Sequence, residues 1–211
     1  MNLQLPVLKY DLPDLRILDS ASDYEFFIWQ PDNFYIILGR ANNLEDSVFY
    51  QAALNDHIKI IKRPSGGESV MLSPKMVVFS LKQNFNHFKN PRHIFTIINK
   101  SLIVALTSIG IENLNFKGIS DLSIKGKKIL GSSMYLKNGT LFYHAVLNVC
   151  EDTTLISKYL KHPAREPDYR MGRDHNEFVT SIHKEGFILD IQLIIGAIKE
   201  ALTNLEYELK N

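Results

Sequence analysis

A chain of 211 residues that is 45% hydrophobic and 22% charged, with a formal net charge of +1, rules out several classes at once. It is too apolar for intrinsic disorder and too nearly neutral for the basic surface that nucleic-acid binding leaves. One domain of this length buries roughly 70% of its unfolded surface, so the core needs no staples; the lone cysteine, Cys150, cannot form an internal disulfide and fits a reducing compartment.

The first residues, Met1-Asn2-Leu3-Gln4-Leu5-Pro6, have neither the basic start nor the apolar core of a signal peptide. The apolar stretches at 102–106 and 193–198 are too short and too interrupted to span a bilayer. No repeat or linker divides the sequence. The expectation is a cytoplasmic protein, one domain over residues 1–211, that engages neither nucleic acid nor membrane.

Tyr24–Trp29 and residues 34–38 read as strands around the turn Pro31-Asp32-Asn33. Asn43-Leu44-Glu45-Asp46 opens a predicted helix to about residue 55, with Leu44, Val48 and Ala52 on its apolar side. The β-like run Ile58-Lys59-Ile60-Ile61 leads into Lys62-Arg63-Pro64-Ser65-Gly66-Gly67-Glu68-Ser69-Val70, and residues 76–81 read as a buried strand. Pro91 starts the clearest helix: Ile94, Ile97, Ile98, Ser101, Leu102, Ala105, Leu106 and Ile109 keep a 3.6-residue period, and Gly110 stands where a C-terminal cap belongs. Strands at 122–124, 128–135 and 141–149 follow, the last two joined by a hairpin turn at Lys137-Asn138-Gly139. A helix from Asp152 or Thr153 to 160, a polar loop at 162–174, and a last helix capped by Asp190 and running to about residue 208 complete the chain. Strands in series interrupted by helices predict an α+β fold with a mixed, mainly antiparallel sheet and flanking helices, not a doubly wound parallel sheet.

Three constellations carry chemistry. In the first, Gly66 and Gly67 let the backbone approach a ligand closely, flanked by the charge of Arg63 and the hydroxyl of Ser65; a tight turn joining two strands accounts for the same residues. In the second, Asp121 starts one strand and Lys128 the next across a turn at Gly126, so both side chains can face one pocket mouth. Lysine there can neutralise a carboxylate, a phosphate or a developing oxyanion, and Gly131, Ser132 and Ser133 leave room for a ligand. A charged surface hairpin explains at least two of Lys125, Lys127 and Lys128 equally well. The third is His144 in its strand, which reads either as a hydrogen-bonded core residue or as a catalytic one, followed by a loop with Arg165, Arg170 and Arg173 that suits an anion, an acidic partner or plain solvent.

The order and spacing of these segments resemble the lipoate–protein ligase and octanoyltransferase superfamily, nearest its ligase A-like branch, whose catalytic domain is related to biotin protein ligase. Lys62 through Val70 is similar to the family's "R-R-x-S/T-G-G-G-A/T-V" loop. Ser120-Asp121-Leu122 with Gly126-Lys127-Lys128-Ile129-Leu130-Gly131-Ser132-Ser133 is similar to its "N-D-L … G-R-K-x-x-G-S/N-A/S" hairpin, and Tyr143-His144-Ala145-Val146-Leu147 to its "H-H/F-H-G-T-L/F-L" strand. Leu38-Gly39-Arg40-Ala41-Asn42 matches the segment before the first family helix, so the likeness spans about residues 24–182. It implies an enzyme that uses ATP and Mg²⁺ to make lipoyl-adenylate from lipoate and passes the acyl group to a lysine of a lipoyl-domain protein, such as a 2-oxoacid dehydrogenase acyltransferase subunit or the glycine-cleavage H protein. It makes Lys128 catalytic, with Arg63, Ser65, Gly66, Gly67, Glu68, Ser69, Asp121, Gly131, Ser132 and His144 around the lipoate and adenylate. Asp121 is expected on the adenosine or metal side, Arg63 and Ser65 at the pocket entrance, and His144 at its floor.

The sequence departs from the family at Glu68, where a third glycine is usual, and at Ala145 after the histidine. Residues 15–23 are too short for the family's N-terminal helix, and the accessory C-terminal domain of some ligases has no counterpart, which implies a separate accessory subunit if adenylation occurs. Octanoyltransferases of the superfamily use a positioned cysteine, and Cys150 stands elsewhere, closing a strand. A thiol-dependent or thiol-independent acyltransferase and a non-catalytic binder of acyl groups or lipoyl domains are the alternative expectations.

Overall fold

The computed structural model describes residues 6–85 and 90–210; residues 1–5, part of the start read above, lie outside them. The described elements are β1 (Val7–Lys9), a 3-10 helix (Pro13–Asp19), β2 (Tyr24–Trp29), β3 (Tyr35–Leu38), α1 (Leu44–Ser47), α2 (Tyr50–Asn55), β4 (Lys59–Lys62), β5 (Val70–Leu72) and β6 (Met76–Asn84). After these come α3 (Pro91–Ser108), β7 (Leu114–Lys117), β8 (Asp121–Ile124), β9 (Lys127–Lys137), β10 (Thr140–Asn148), α4 (Thr153–Tyr159), a 3-10 turn (Asp168–Arg170), α5 (His175–Phe178) and α6 (Ile191–Lys210).

A large sheet has the strand order β2-β6-β10-β9-β8-β7, antiparallel throughout. A smaller one runs β1-β4-β3-β5, parallel at β1-β4 and β4-β3 and antiparallel at β3-β5. The expected α+β class with a mainly antiparallel sheet is what the chain adopts, divided between two sheets.

Alternation along the central strands builds the layers. Val77, Phe79 and Leu81 of β6 and Leu141, Tyr143 and Leu147 of β10 point to one face, where they meet the buried stripes of α3 (Ile94, Ile98, Leu102, Leu106) and α6 (Ile194, Ile198, Leu202, Leu205). Each such side chain, fully buried, contributes about 1.5–3 kcal/mol. On the opposite face Val78 packs with Tyr35, Ile37 and Ile61 of the small sheet, whose other side carries Ile36, Leu38 and Ile60 toward Ala53, Ile156 and Tyr159. The small sheet is therefore buried on both faces, which explains the unbroken apolar run of β3 and the adjacent Ile60 and Ile61 of β4.

The predicted helix ends are met: Asn90 caps α3 through the amide of Arg92, Gly110 has φ +92°, Asp152 caps α4, and Asp190 accepts from the amide of Gln192. The helix predicted from 43 to 55 is instead two short helices. Val48 between them is extended (φ −129°, ψ 139°), bridges to Leu160, and the next amide, Phe49, donates to the Tyr159 carbonyl at 2.9 Å. Burial of Val48 against this neighbour outweighs continuation of a helix with only modest propensity there. The region from 15 to 23, read as too short for a helix, belongs in part to the 3-10 helix, held by buried Asp14 to Ser80 Oγ (2.5 Å) and Tyr10 Oη (2.9 and 3.0 Å). Among the described residues no helix is long and apolar enough to cross a membrane.

Candidate active site

A cleft of ≈ 660 Å³ opens between the small sheet, the exposed side of β9–β10 and the loop before α5. Its walls combine apolar side chains (Ile37, Met71, Leu72, Val78, Val146, Ile156) with a polar set that includes nine of the eleven residues singled out above: Arg63, Gly67, Glu68, Ser69, Asp121, Lys128, Gly131, Ser132 and His144. Ser65 and Gly66 do not line it.

The glycine turn is built on a buried guanidinium. Arg63 Nε donates to Ser65 Oγ (3.1 Å) and the Gly66 carbonyl (3.2 Å), Nη1 to the Ile37 carbonyl (3.3 Å), and Nη2 to the carbonyls of Gly66 (2.7 Å) and Glu68 (2.8 Å). Arg63 is only 5% exposed and Ser65 1%. The expectation that these two stand at the entrance is therefore corrected: they lie beneath the turn, because its inward-facing carbonyls require a forked donor. Burial lowers the Arg63 pKa to about 10. Gly67 has φ +86°, so only its position in the turn requires glycine conformationally; Glu68 is not among the positive-φ residues. The Glu68 carboxylate accepts from Asn42 Nδ2 at 3.1 Å, and Asn42 Oδ1 accepts from the amide of Gly39 and from Ser69 Oγ. Asn42 thereby joins the β3–α1 turn to the glycine turn.

Ser65 Oγ also lies 2.5 Å from His144 Nε2. The hydroxyl accepts from Arg63 and keeps one hydrogen and one lone pair, so it pairs with either tautomer of the neutral imidazole. Burial, reinforced by the charge of Arg63, lowers the His144 pKa to about 3 and keeps the ring neutral. The edge of Tyr10 packs on this ring, with centroids 6.1 Å apart. His144 is thus a buried, hydrogen-bonded residue of its strand that also lines the cleft.

Lys128 Nζ lies 2.9 Å from Asp121 Oδ1, across the β8–β9 turn as the spacing predicts. The other carboxylate oxygen accepts from Tyr169 Oη at 2.8 Å. A Cβ built on Gly131 would meet Lys128 Cε at 2.7 Å and Nζ at 2.8 Å. The space over Gly131 is therefore the groove in which Lys128 itself lies, while Ser132 and Ser133 line the cleft. Lys128 also forms a parallel bridge with Val179, and its carbonyl accepts from the amide of Thr180.

The three loop arginines separate. Arg170 is buried, ion-paired with Glu166 at 3.4 Å and bonded to the Arg173 carbonyl, and Arg173 reaches the carbonyls of Arg170, Tyr169 and Gly126. Both brace the loop. Arg165 lines the cleft with no hydrogen bond or ion pair among the described residues, so it is the member of the three available to an anion. Cys150 sits outside the cleft, and burial raises its pKa, as for an inert thiol. Both oxygens of Asp121 are engaged, one by Lys128 and one by Tyr169, and among the described residues no group of three or more His, Cys, Asp or Glu stands together as a metal site.

Tyr10, Asn42 and Tyr169 were not legible as site residues. Tyr169 lies in the polar loop at 162–174, but its partner lies 48 positions away. Tyr10 precedes any recognisable element.

Residues 15–203 match the family model described as the lipoyl protein ligase A/B catalytic domain. The chain is 27% identical over 136 residues to the lipoate-protein ligase LplJ of Bacillus subtilis (strain 168), covering 63% of this chain and 39% of that protein. It is 20% identical over 184 residues to the octanoyltransferase LipM of Geobacillus kaustophilus (strain HTA426), covering 75% and 65%. The matched part thus spans about two fifths and just under two thirds of these relatives. A solved structure of a bipartite lipoate protein ligase with its E2 lipoyl domain, from Thermoplasma acidophilum, superposes with a TM-score of 0.76 at 17% identity, over 96% of this chain and 83% of that one, which shows a shared fold.

Proposed function

Because the chain belongs to the lipoyl protein ligase A/B catalytic domain family, we propose that it transfers a lipoyl group to a lysine of a lipoyl-domain protein by way of lipoyl-adenylate. The observation that carries this reading is Lys128: a cation fixed by Asp121, lying in the groove over Gly131 and facing a cleft with an apolar wall. A cleft of this size suits a small ligand buried along most of its length. The apolar residues from β5, β6 and β10 suit the acyl chain, and the polar rim of Glu68, Ser69 and Arg165 suits the adenylate.

ATP supplies the activating AMP in this scheme. A carboxylate oxygen of lipoate displaces pyrophosphate from the α-phosphorus, and the acceptor amine then attacks the acyl carbon, forming the amide as the bond to AMP breaks and a proton is lost. Lys128 faces both steps in the same way, donating to the oxygens on which negative charge grows. No step is assigned to a metal ion held by the protein. Neutral His144 keeps the wall beneath Ser65 uncharged, and the loop bearing Arg165 is placed to limit water at a hydrolysable anhydride.

Incubation with lipoate, ATP, Mg²⁺, an apo lipoyl domain and the accessory subunit of a bipartite ligase should add one lipoyl mass to the domain and release pyrophosphate. Lys128→Ala should lower the rate by about 10²–10³-fold, the effect of losing one oxyanion donor. The similarity to an octanoyltransferase motivates a second arm with an octanoyl thioester donor and no ATP. Transfer only in that arm replaces the ligase reading with the transferase one, and transfer in neither overturns both.

A further inference from the structure

Lys128 is a long, flexible side chain, and its use at an acyl carbonyl depends on its being held in one place. Three contacts hold it: the main-chain pairing with Val179 and Thr180, the groove over Gly131, and the carboxylate of Asp121. The third is only as fixed as the carboxylate. Asp121 is 6% exposed, and its orientation is set by what bonds its second oxygen, Tyr169 Oη at 2.8 Å. We infer that Tyr169 is a positioning residue for Lys128, acting through Asp121; the inference rests on the reading of Lys128 given above.

The alternative is that this hydrogen bond serves only to fasten the loop. The loop is already fastened without it. Arg173 bonds the carbonyls of Tyr169, Arg170 and Gly126, Glu166 accepts from the amide of Gly172 at 2.8 Å, and Pro167 and the Tyr169 ring lie close to Gly118. The Tyr169 ring also packs on Phe178, with centroids 5.0 Å apart. Removing one hydroxyl leaves all of these in place and frees only the carboxylate. Burial and the neighbouring Asp121 charge raise the pKa of the phenol, so it remains a donor at any working pH.

Tyr169→Phe tests this with three readouts. In the lipoylation assay kcat should fall by about tenfold, with KM for the acyl donor within about twofold, because positioning acts at the reacting atoms. Competitive labelling with acetic anhydride, which needs no turnover, should show Lys128 several-fold more reactive than in the wild type. Tryptic cleavage after Arg165, Arg170 and Arg173 should be unchanged. In an Asp121→Asn background the Tyr169→Phe change should add no further loss. Wild-type kcat and labelling in the variant overturn the inference, and so does faster loop cleavage with a raised KM and unchanged Lys128 labelling. A wild-type protein inactive with either donor defeats the functional reading instead, and the labelling result still decides the role of Tyr169.

Discussion

At the residue scale, the neutral state of His144 makes stability depend on pH. Its pKa is about 3 in the folded protein against 6.5 for a free imidazole, so between those values the unfolded chain binds a proton that the folded chain does not. Stability should therefore decline as pH falls from about 6.5 toward 3, by up to about 1.4 kcal/mol per pH unit. Buried Asp14 acts in the opposite sense: burial raises its pKa, so its contribution weakens as pH rises from 3.8 toward the folded value. Comparing urea unfolding of the wild type with His144→Gln at pH 7 and pH 5 isolates the histidine, and the variant should lose less stability on acidification. Equal slopes would mean that His144 is charged in the folded state. Arg63 belongs to the same scale. Its charge was legible in the sequence, but its use was not, because nothing local reveals that the carbonyls of Ile37, Gly66 and Glu68 converge on it.

At the element scale, the site depends on two turns from different parts of the chain. The β3–α1 turn and the glycine turn approach so closely that a Cβ on Gly39 would stand 1.9 Å from the Gly67 carbonyl oxygen. The Arg40 amide also donates to the Ser65 carbonyl at 2.9 Å. Gly39→Ala must separate these backbones, which cannot yield as a flexible side chain could. A loss of about 1–3 kcal/mol is expected from urea unfolding, together with a marked fall in transfer activity. The comparison control is Gly196→Ala in α6, where a Cβ meets nothing within 4 Å and helix propensity favours alanine. If both variants behave alike, the contact between turns is unimportant. The sequence pattern located the strands that hold these turns well, since alternation and turn chemistry are local. It misjudged 43–55 because Val48 is drawn out of helical geometry by Leu160, a partner no local pattern contains.

At the scale of the whole molecule, α3 and α6 cover one face of the large sheet while the cleft opens on the other side, so stability and chemistry are separable. Leu202, fully buried in the α3–α6 layer, tests this. Leu202→Ala should cost about 2–5 kcal/mol while leaving kcat/KM near the wild-type value at temperatures where the protein remains folded. A large fall in kcat/KM would show that the helical layer sets the cleft geometry. By itself the sequence determined the α+β class, the main strands and long helices, their caps, and the four motifs whose order resembles the lipoate–protein ligase superfamily. These are set by hydrophobic period, turn residues and short spacings, all carried by neighbours in the chain. Tertiary structure alone decided that the strands divide into two sheets, that Arg63 and Ser65 lie under the glycine turn, that Lys128 occupies the space over Gly131, and that Tyr169 reaches Asp121. Each of these depends on packing between residues distant in sequence, where burial forces polar groups to find partners that no local pattern specifies.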